Sequence, residues 1–163
     1  MDEEMQERAL RGDPVSLTRS MVAVPSVNPG LDPEGAGERP VGELAAGWLE
    51  AWGFDVRIDE PEASRINVVA RHGEGGPGLL LNGHLDTVGV EGMTIDPFEP
   101  RLEDGRIWGR GSCDMKAGIG SLLAAARRLA AADHPGELVV ALTADEEHRS
   151  VGMEALVDDG VSA

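Results

Sequence analysis

Apolar positions along the chain switch between a spacing near one helical turn and short alternating or continuous runs, and each change of spacing marks a change of element. Residues 3–12 and 14–23 read as helices, with Asp13-Pro14 as a cap and a first-turn proline. Residues 25–38 (PSVNPGLDPEGAGE) are rich in proline and glycine and read as a loop. From 39 to 52, Val41, Leu44, Ala45, Trp48, Leu49 and Trp52 recur at helical spacing, and Gly53 ends the helix. Phe54, Val56 and Ile58 then alternate with charged residues, the pattern of a half-exposed strand, and Ile66–Ala70 follows as the next strand. Leu79-Leu80-Leu81 and Leu138–Leu142 are continuous apolar runs, which predict strands buried on both faces. Between them the sequence predicts a small hairpin around Asp104-Gly105 and a helix from Lys116 to Ala132. That helix carries Ile119, Leu122, Leu123, Ala126, Leu129 and Ala130 on one side, and Asp133-His134-Pro135-Gly136 stops it. A last helix begins near Val151. Strands alternating with helices predict a layered α/β/α domain with a largely parallel or mixed central sheet. In such sheets ligands collect beyond the carboxyl ends of the strands.

Composition narrows the partners. The chain has 163 residues, 41% of them apolar, enough for one domain with a core. The longest apolar-rich stretch, Ile119–Ala132, is interrupted by Arg127 and Arg128 and falls short of the roughly 20 residues of a membrane-spanning helix. MDEEMQERAL is acidic and has no hydrophobic leader segment, so a cytoplasmic protein is expected. The single cysteine, Cys113, excludes an internal disulfide framework and fits a reducing compartment. A net charge of −16 argues against nucleic acid, which needs a basic face. The acids either solvate the surface or bind cations, and only their spacing separates the two. One lysine, Lys116, stands against 13 arginines.

Three polar clusters follow strands or precede a helix. In Asn82-Gly83-His84-Leu85-Asp86-Thr87, His84 and Asp86 are two apart, so an extended segment points both to one face. The carboxylate can then hold one imidazole nitrogen and free the other for a metal; alternatively His84 is a hydrogen-bonded structural residue. In Gly109–Lys116, Asp114 is either the N-cap of the following helix or a metal-bridging carboxylate on a glycine-rich turn. Cys113 beside it reads as structural, since a hard carboxylate site needs no thiolate. In Thr143–Glu147, three consecutive acids form a solvated turn, or adjacent glutamates divide metal binding from proton transfer. Ser112, Ser121 and Ser150 lack a nucleophile elbow, and no phosphate-binding lysine loop is present. The glycine-rich run 73–78 precedes a strand and reads as a turn. His72, His134 and His148 read as loop or surface residues without a partner. Arg149 reads as a solvent-facing turn residue, with a substrate contact as the alternative.

Taken in order, GHLDTV (83–88), GRGSCDMK (109–116) and TADEE (143–147) resemble the motifs of the M20 metallopeptidase and deacylase family. That resemblance implies a metal-dependent amidohydrolase acting on N-acyl amino acids or short peptides. It implies two divalent cations, zinc in the first instance, with cobalt or manganese as alternatives. His84, Asp114 and Glu147 are the implied ligands, with Asp114 bridging; Asp86 orients His84 and Glu146 is the general base. Lys116 is expected to pair with nearby acids rather than to take part in the chemistry. The family's remaining ligands, an acid and a distal histidine, would fall past Ala163. The expectation is therefore an N-terminal portion of a catalytic domain, without the lid that dimerises in relatives and without the C-terminal catalytic segment. Alone it should bind zinc weakly, hydrolyse little and leave a sheet edge open. A metallo-exopeptidase and a non-catalytic remnant that binds metal or a partner are the alternatives.

Overall fold

The apolar run at 138–143 becomes the centre of the sheet. In the computed structural model, which describes residues 3–75, 78–132 and 134–162, a four-stranded mixed sheet orders its strands β1-β2-β6-β3. They are β1 (Asp55–Glu62), β2 (Arg65–His72), β3 (Leu79–His84) and β6 (Leu138–Thr143). β2 is antiparallel to both β1 and β6, whereas β3 runs parallel to β6. A separate hairpin joins β4 (Arg101–Glu103) to β5 (Arg106–Trp108). Its turn residues Asp104 and Gly105 have φ of 51° and 73°, the left-handed pair that an Asp-Gly hairpin turn requires.

The alternation of side chains along β2 and β6 separates two apolar layers. Ile66, Val68, Ala70, Leu138, Val140 and Leu142 pack with Leu17, Met21, Leu49, Ile119 and Leu123. Those last five come from α2 (Pro14–Val22), α3 (Arg39–Ala51) and α4 (Lys116–Ala130), and α1 (Glu3–Leu10) packs on α2. Val69, Val139 and Ala141 face the other way, onto Leu156 of α5 (Val151–Asp158). The layers are therefore helix, sheet, helix, as the alternation of elements predicts.

β6 is buried throughout, but β3 is not: Leu79 is 48% exposed. The reading of Leu79–Leu81 as buried on both faces is corrected here. β3 is an edge strand among the described residues, paired with β6 on one side, so its first residue lacks a neighbour on the other.

Local chemistry sets the helix ends. Asp13 accepts the Ser16 N–H at 2.8 Å, with Pro14 in the first turn of α2. Trp52, just past α3, donates its indole N–H to Leu10 O at 2.7 Å, tying α3 to the end of α1. α2 and α4 cross closely at Gly120, where a Cβ would stand 3.1 Å from Pro14 O. The stop signal after α4 includes Asp133, which lies outside the described residues, as do residues 76 and 77 of the glycine-rich turn. Among the described residues, no helix is long and apolar enough to cross a membrane.

Candidate metal centre

Because β3 and β6 are parallel neighbours, their carboxyl ends finish side by side, with His84 in register with Thr143. The segments that leave them, Leu85–Thr87 and Ala144–Glu147, therefore start from one edge of the sheet. Asp114 reaches the same place from the turn before α4. His84 Nε2 lies 3.1 Å from Asp114 Oδ1 and 3.8 Å from Glu146 Oε2. One ligating atom from each of His84, Asp114 and Glu147 lies within 4.8 Å of the other two. An imidazole nitrogen and two carboxylates in that space form a donor set suited to a divalent cation, zinc among them. The N-cap alternative for Asp114 fails: Met115 caps α4, no side chain caps it, and the Asp114 side chain is 75% exposed.

The electrostatics match a cation-binding cluster. Burial works to depress the His84 imidazole, but the Asp86, Asp114 and Glu146 carboxylates outweigh it and hold it up at about 9. Burial raises Glu147, with Asp114, Asp86 and Glu146 adding to that effect and His84 opposing it.

Asp86 does more than the spacing suggested. His84 Nδ1 lies 3.0 Å from the Asp86 backbone oxygen and 3.5 Å from its Oδ1. In the neutral ring, a proton on Nδ1 in that position leaves Nε2 with its lone pair toward the cluster, the form that binds a metal. The Asp86 carboxylate itself accepts the backbone N–H groups of Glu146 and Glu147 at 3.0 and 3.1 Å. Burial works to raise it, but His84, Asn28 and these amides hold Asp86 below the usual carboxylate range.

Asp145 separates from its two acidic neighbours. It is fully buried with φ of 66°, and its Oδ1 pairs with Arg65 at 3.0 Å. Arg65 also binds Glu38 at 2.6 Å, and burial pushes Glu38 up despite that partner. Asn28, Glu38, Arg65 and Asp145 form a buried layer beneath the site that sequence patterning missed. Asn28 sits in the segment read as loop, which runs beside the end of β3 through a parallel bridge between Val27 and Thr87. No motif spacing links residues so far apart; the one available signal was a charged Arg65 opening an apolar strand.

Several other readings change. Among the described residues, Lys116 pairs with no acid. It is 1% exposed, and its Nζ donates to Met21 O and Val24 O at 3.0 and 2.8 Å, at the carboxyl end of α2. Burial pushes its amine down to about 7. His72 and His134 do have partners: His72 Nδ1 and His134 Nε2 are 3.1 Å apart, and Phe54 packs against His72. His148 Nδ1 lies 3.6 Å from Asp145 Oδ1. Arg149 pairs with Glu62, and its backbone N–H reaches Asp145 Oδ2 at 3.3 Å. Exposed Cys113 lines a cleft of about 220 Å³ with Asp114 and Glu147 but is not one of the clustered ligating residues. A second cleft, about 360 Å³, opens on the other side of the cluster between His84, Met115, Glu146 and Met153. A larger groove of about 700 Å³ between Arg19 and Phe98 lies away from this chemistry.

Comparison with known proteins places the chain in a family. Residues 80–163 match the model of peptidase family M20/M25/M40. The chain is 39% identical over 152 residues to the succinyl-diaminopimelate desuccinylase of Rhizorhabdus wittichii, covering 90% of this chain and 38% of that protein. It is 41% identical over 143 residues to the same-named protein of Xanthomonas oryzae pv. oryzae, covering 83% and 35%. The chain thus spans little more than a third of the length of the curated relatives it matches. Its fold is similar to that of human carnosine dipeptidase 1, with a TM-score of 0.74 and 22% identity over 95% of this chain and 36% of that one. It is also similar to an M20 family metallo-carboxypeptidase from Sulfolobus solfataricus, with a TM-score of 0.76 and 20% identity over 98% and 35%. With a family model that spans all three sequence motifs and all of α4, β6 and α5, this chain belongs to peptidase family M20/M25/M40.

Proposed function

We propose that these residues form the N-terminal portion of the catalytic domain of a metal-dependent amidohydrolase, which releases the acyl group from an N-acyl amino acid or short peptide. The observation that carries this reading is the convergence of His84, Asp114 and Glu147 within 4.8 Å, with the Glu146 carboxylate beside them. His84 and Asp114 would hold one divalent cation, and Asp114 and Glu147 a second, with zinc the first choice. Cations held there supply Lewis acidity, which makes a water acidic near neutral pH and draws charge from an amide carbonyl. Every other role belongs to side chains of this protein. Glu146, 57% exposed and not bound to Asp86 through its side chain, takes a proton from water at its carboxylate and returns it to the departing nitrogen. Asp86 fixes the His84 ring and the backbone of the Glu146–Glu147 turn.

The relatives named as desuccinylases support an N-acyl amino acid as substrate class. The dipeptidase and carboxypeptidase among the similar structures share the fold and leave short peptides as the second reading. A reducing, cytoplasmic setting and a dimerising lid elsewhere in the protein belong to the same proposal. The test uses the intact protein with zinc and N-succinyl or N-acetyl amino acids. Glu146→Gln should lower turnover by about 10²–10⁴-fold while zinc binding stays within a few-fold. Turnover unaffected by that substitution, or an intact protein that binds zinc and cleaves no N-acyl amino acid or short peptide, would overturn the reading in favour of a non-catalytic remnant.

A further inference from the structure

We infer that Asn28 is a positioning residue for the metal centre: its single amide ties Asp86 to Asp145 and thereby sets where the Glu146–Glu147 turn lies relative to His84. The inference rests on the metal-centre reading above and goes beyond it, since Asn28 touches none of the proposed ligands.

The bonding of this amide is complete. Nδ2 donates to Asp86 Oδ2 at 2.6 Å and to Asp145 Oδ1 at 3.0 Å. Oδ1 accepts from Arg65 at 2.7 Å and from the Gly30 N–H at 2.8 Å. An asparagine has two donors and two acceptor sites, so all four are used. The orientation is also forced, because turning the amide over would set oxygen against two carboxylates and N–H against two donors. Asn28 has no solvent exposure.

The surrounding charge shows why a neutral bridge sits there. Glu38, Asp86 and Asp145 are each 0% exposed, and among the described residues Arg65 is the one guanidinium that contacts two of them. Asp86 receives no contact from Arg65; its link to that cation runs through Asn28. Asp86 holds the amides of Glu146 and Glu147, and Asp145 is the residue before them. Asn28 therefore fastens both the anchor of the turn and the turn's first residue, from a loop 58 and 117 positions away in sequence. Outer partners of this kind typically change metal affinity by 10–100-fold when removed.

Two variants of this chain separate bridging from packing and from charge. Asn28→Leu keeps the volume and removes all four bonds; Asn28→Asp keeps the shape and adds a carboxylate. Two quantities are read: amide hydrogen exchange, and zinc affinity by competition with a chromophoric chelator. In Asn28→Leu, the Glu146 and Glu147 amides should lose about 10-fold or more of their protection relative to Val140 and Leu142, and zinc affinity should fall about 10–100-fold. Asn28→Asp should also bind zinc more weakly; tighter binding would mean that the group acts through charge and would overturn the inference. Wild-type protection and affinity in Asn28→Leu would overturn it too. Should either variant fail to fold, Asn28→Ser, which keeps a hydroxyl but cannot span both aspartates, decides by the same two readings. Wild type and His84→Ala binding zinc equally would defeat the metal-centre reading itself, whereas a His84-dependent site indifferent to Asn28 would defeat this inference alone.

Discussion

Replacing Asn67 by leucine should cost the protein a large part of its stability without changing the apolar core. Asn67 lies in β2 and is 2% exposed. Its Nδ2 donates to Gly152 O at 2.7 Å and its Oδ1 accepts the Ala144 N–H at 3.1 Å. Leucine fills a similar volume but leaves the buried Ala144 amide without this acceptor and removes the side-chain bond to Gly152 O, a carbonyl in the first turn of α5. The orphaned amide costs about 1–3 kcal/mol and the lost second bond about 0.5–1.5 kcal/mol, roughly 2–4 kcal/mol together, against a total of about 5–15 kcal/mol for a domain. With a urea slope of about 1–3 kcal/mol/M, the midpoint should fall by roughly 2 M at an unchanged slope. Ala144 and Gly152 bracket the turn that carries Glu146 and Glu147, so amide exchange there should accelerate before that of β6. A midpoint within about 0.3 M of wild type would refute the reasoning, because it would mean that the two backbone groups find other partners.

Gly152→Ala places a Cβ 2.5 Å from the Ala144 nitrogen, so α5 must shift at a cost of about 1–3 kcal/mol, seen as a lower melting temperature. Leu138→Ala should cost about 2–5 kcal/mol and Leu79→Ala under about 1 kcal/mol, although the two are paired in register, because Leu138 is 2% exposed and Leu79 48%; equal losses in urea melts would contradict the edge placement of β3. Asp13→Ala should cost about 1 kcal/mol at pH 7, and Asp13→Asn much less because asparagine caps as well. Slight burial works to raise Asp13, but the Ser16 N–H and Arg8 hold it below its ordinary value. Its cap contribution is therefore present above about pH 4 and lost as pH falls through the lowered folded value, so the Asp13→Ala difference should shrink on acidification in paired urea melts.

Most elements were legible because periodicity reports local geometry. The α3 face from Val41 to Trp52, the Asp13-Pro14 start of α2 and the Asp104-Gly105 turn each declare themselves within a few residues. Burial depends on neighbours instead. Leu79–Leu81 and Leu138–Leu142 look alike in sequence, yet one run lies at a sheet edge and the other between two strands. The candidate ligands His84, Asp114 and Glu147 were named from short motifs, and the fold brings them together. Asn28, Glu38 and Arg65 were not named, since their meaning lies in contacts across long sequence separations that no local pattern encodes. Lys116 misled for a similar reason: Asp114 lies two positions before it in sequence, but its ammonium points at the carbonyls that end α2.

The most direct test of the metal centre is the visible absorption of the protein titrated with Co²⁺, compared with His84→Ala, Asp114→Ala and Glu147→Ala. Ligand-field bands should appear in the wild-type protein and weaken or vanish with each substitution, with zinc displacing the cobalt. Bands that persist unchanged in all three variants, in protein that remains folded, would place the metal elsewhere and contradict it.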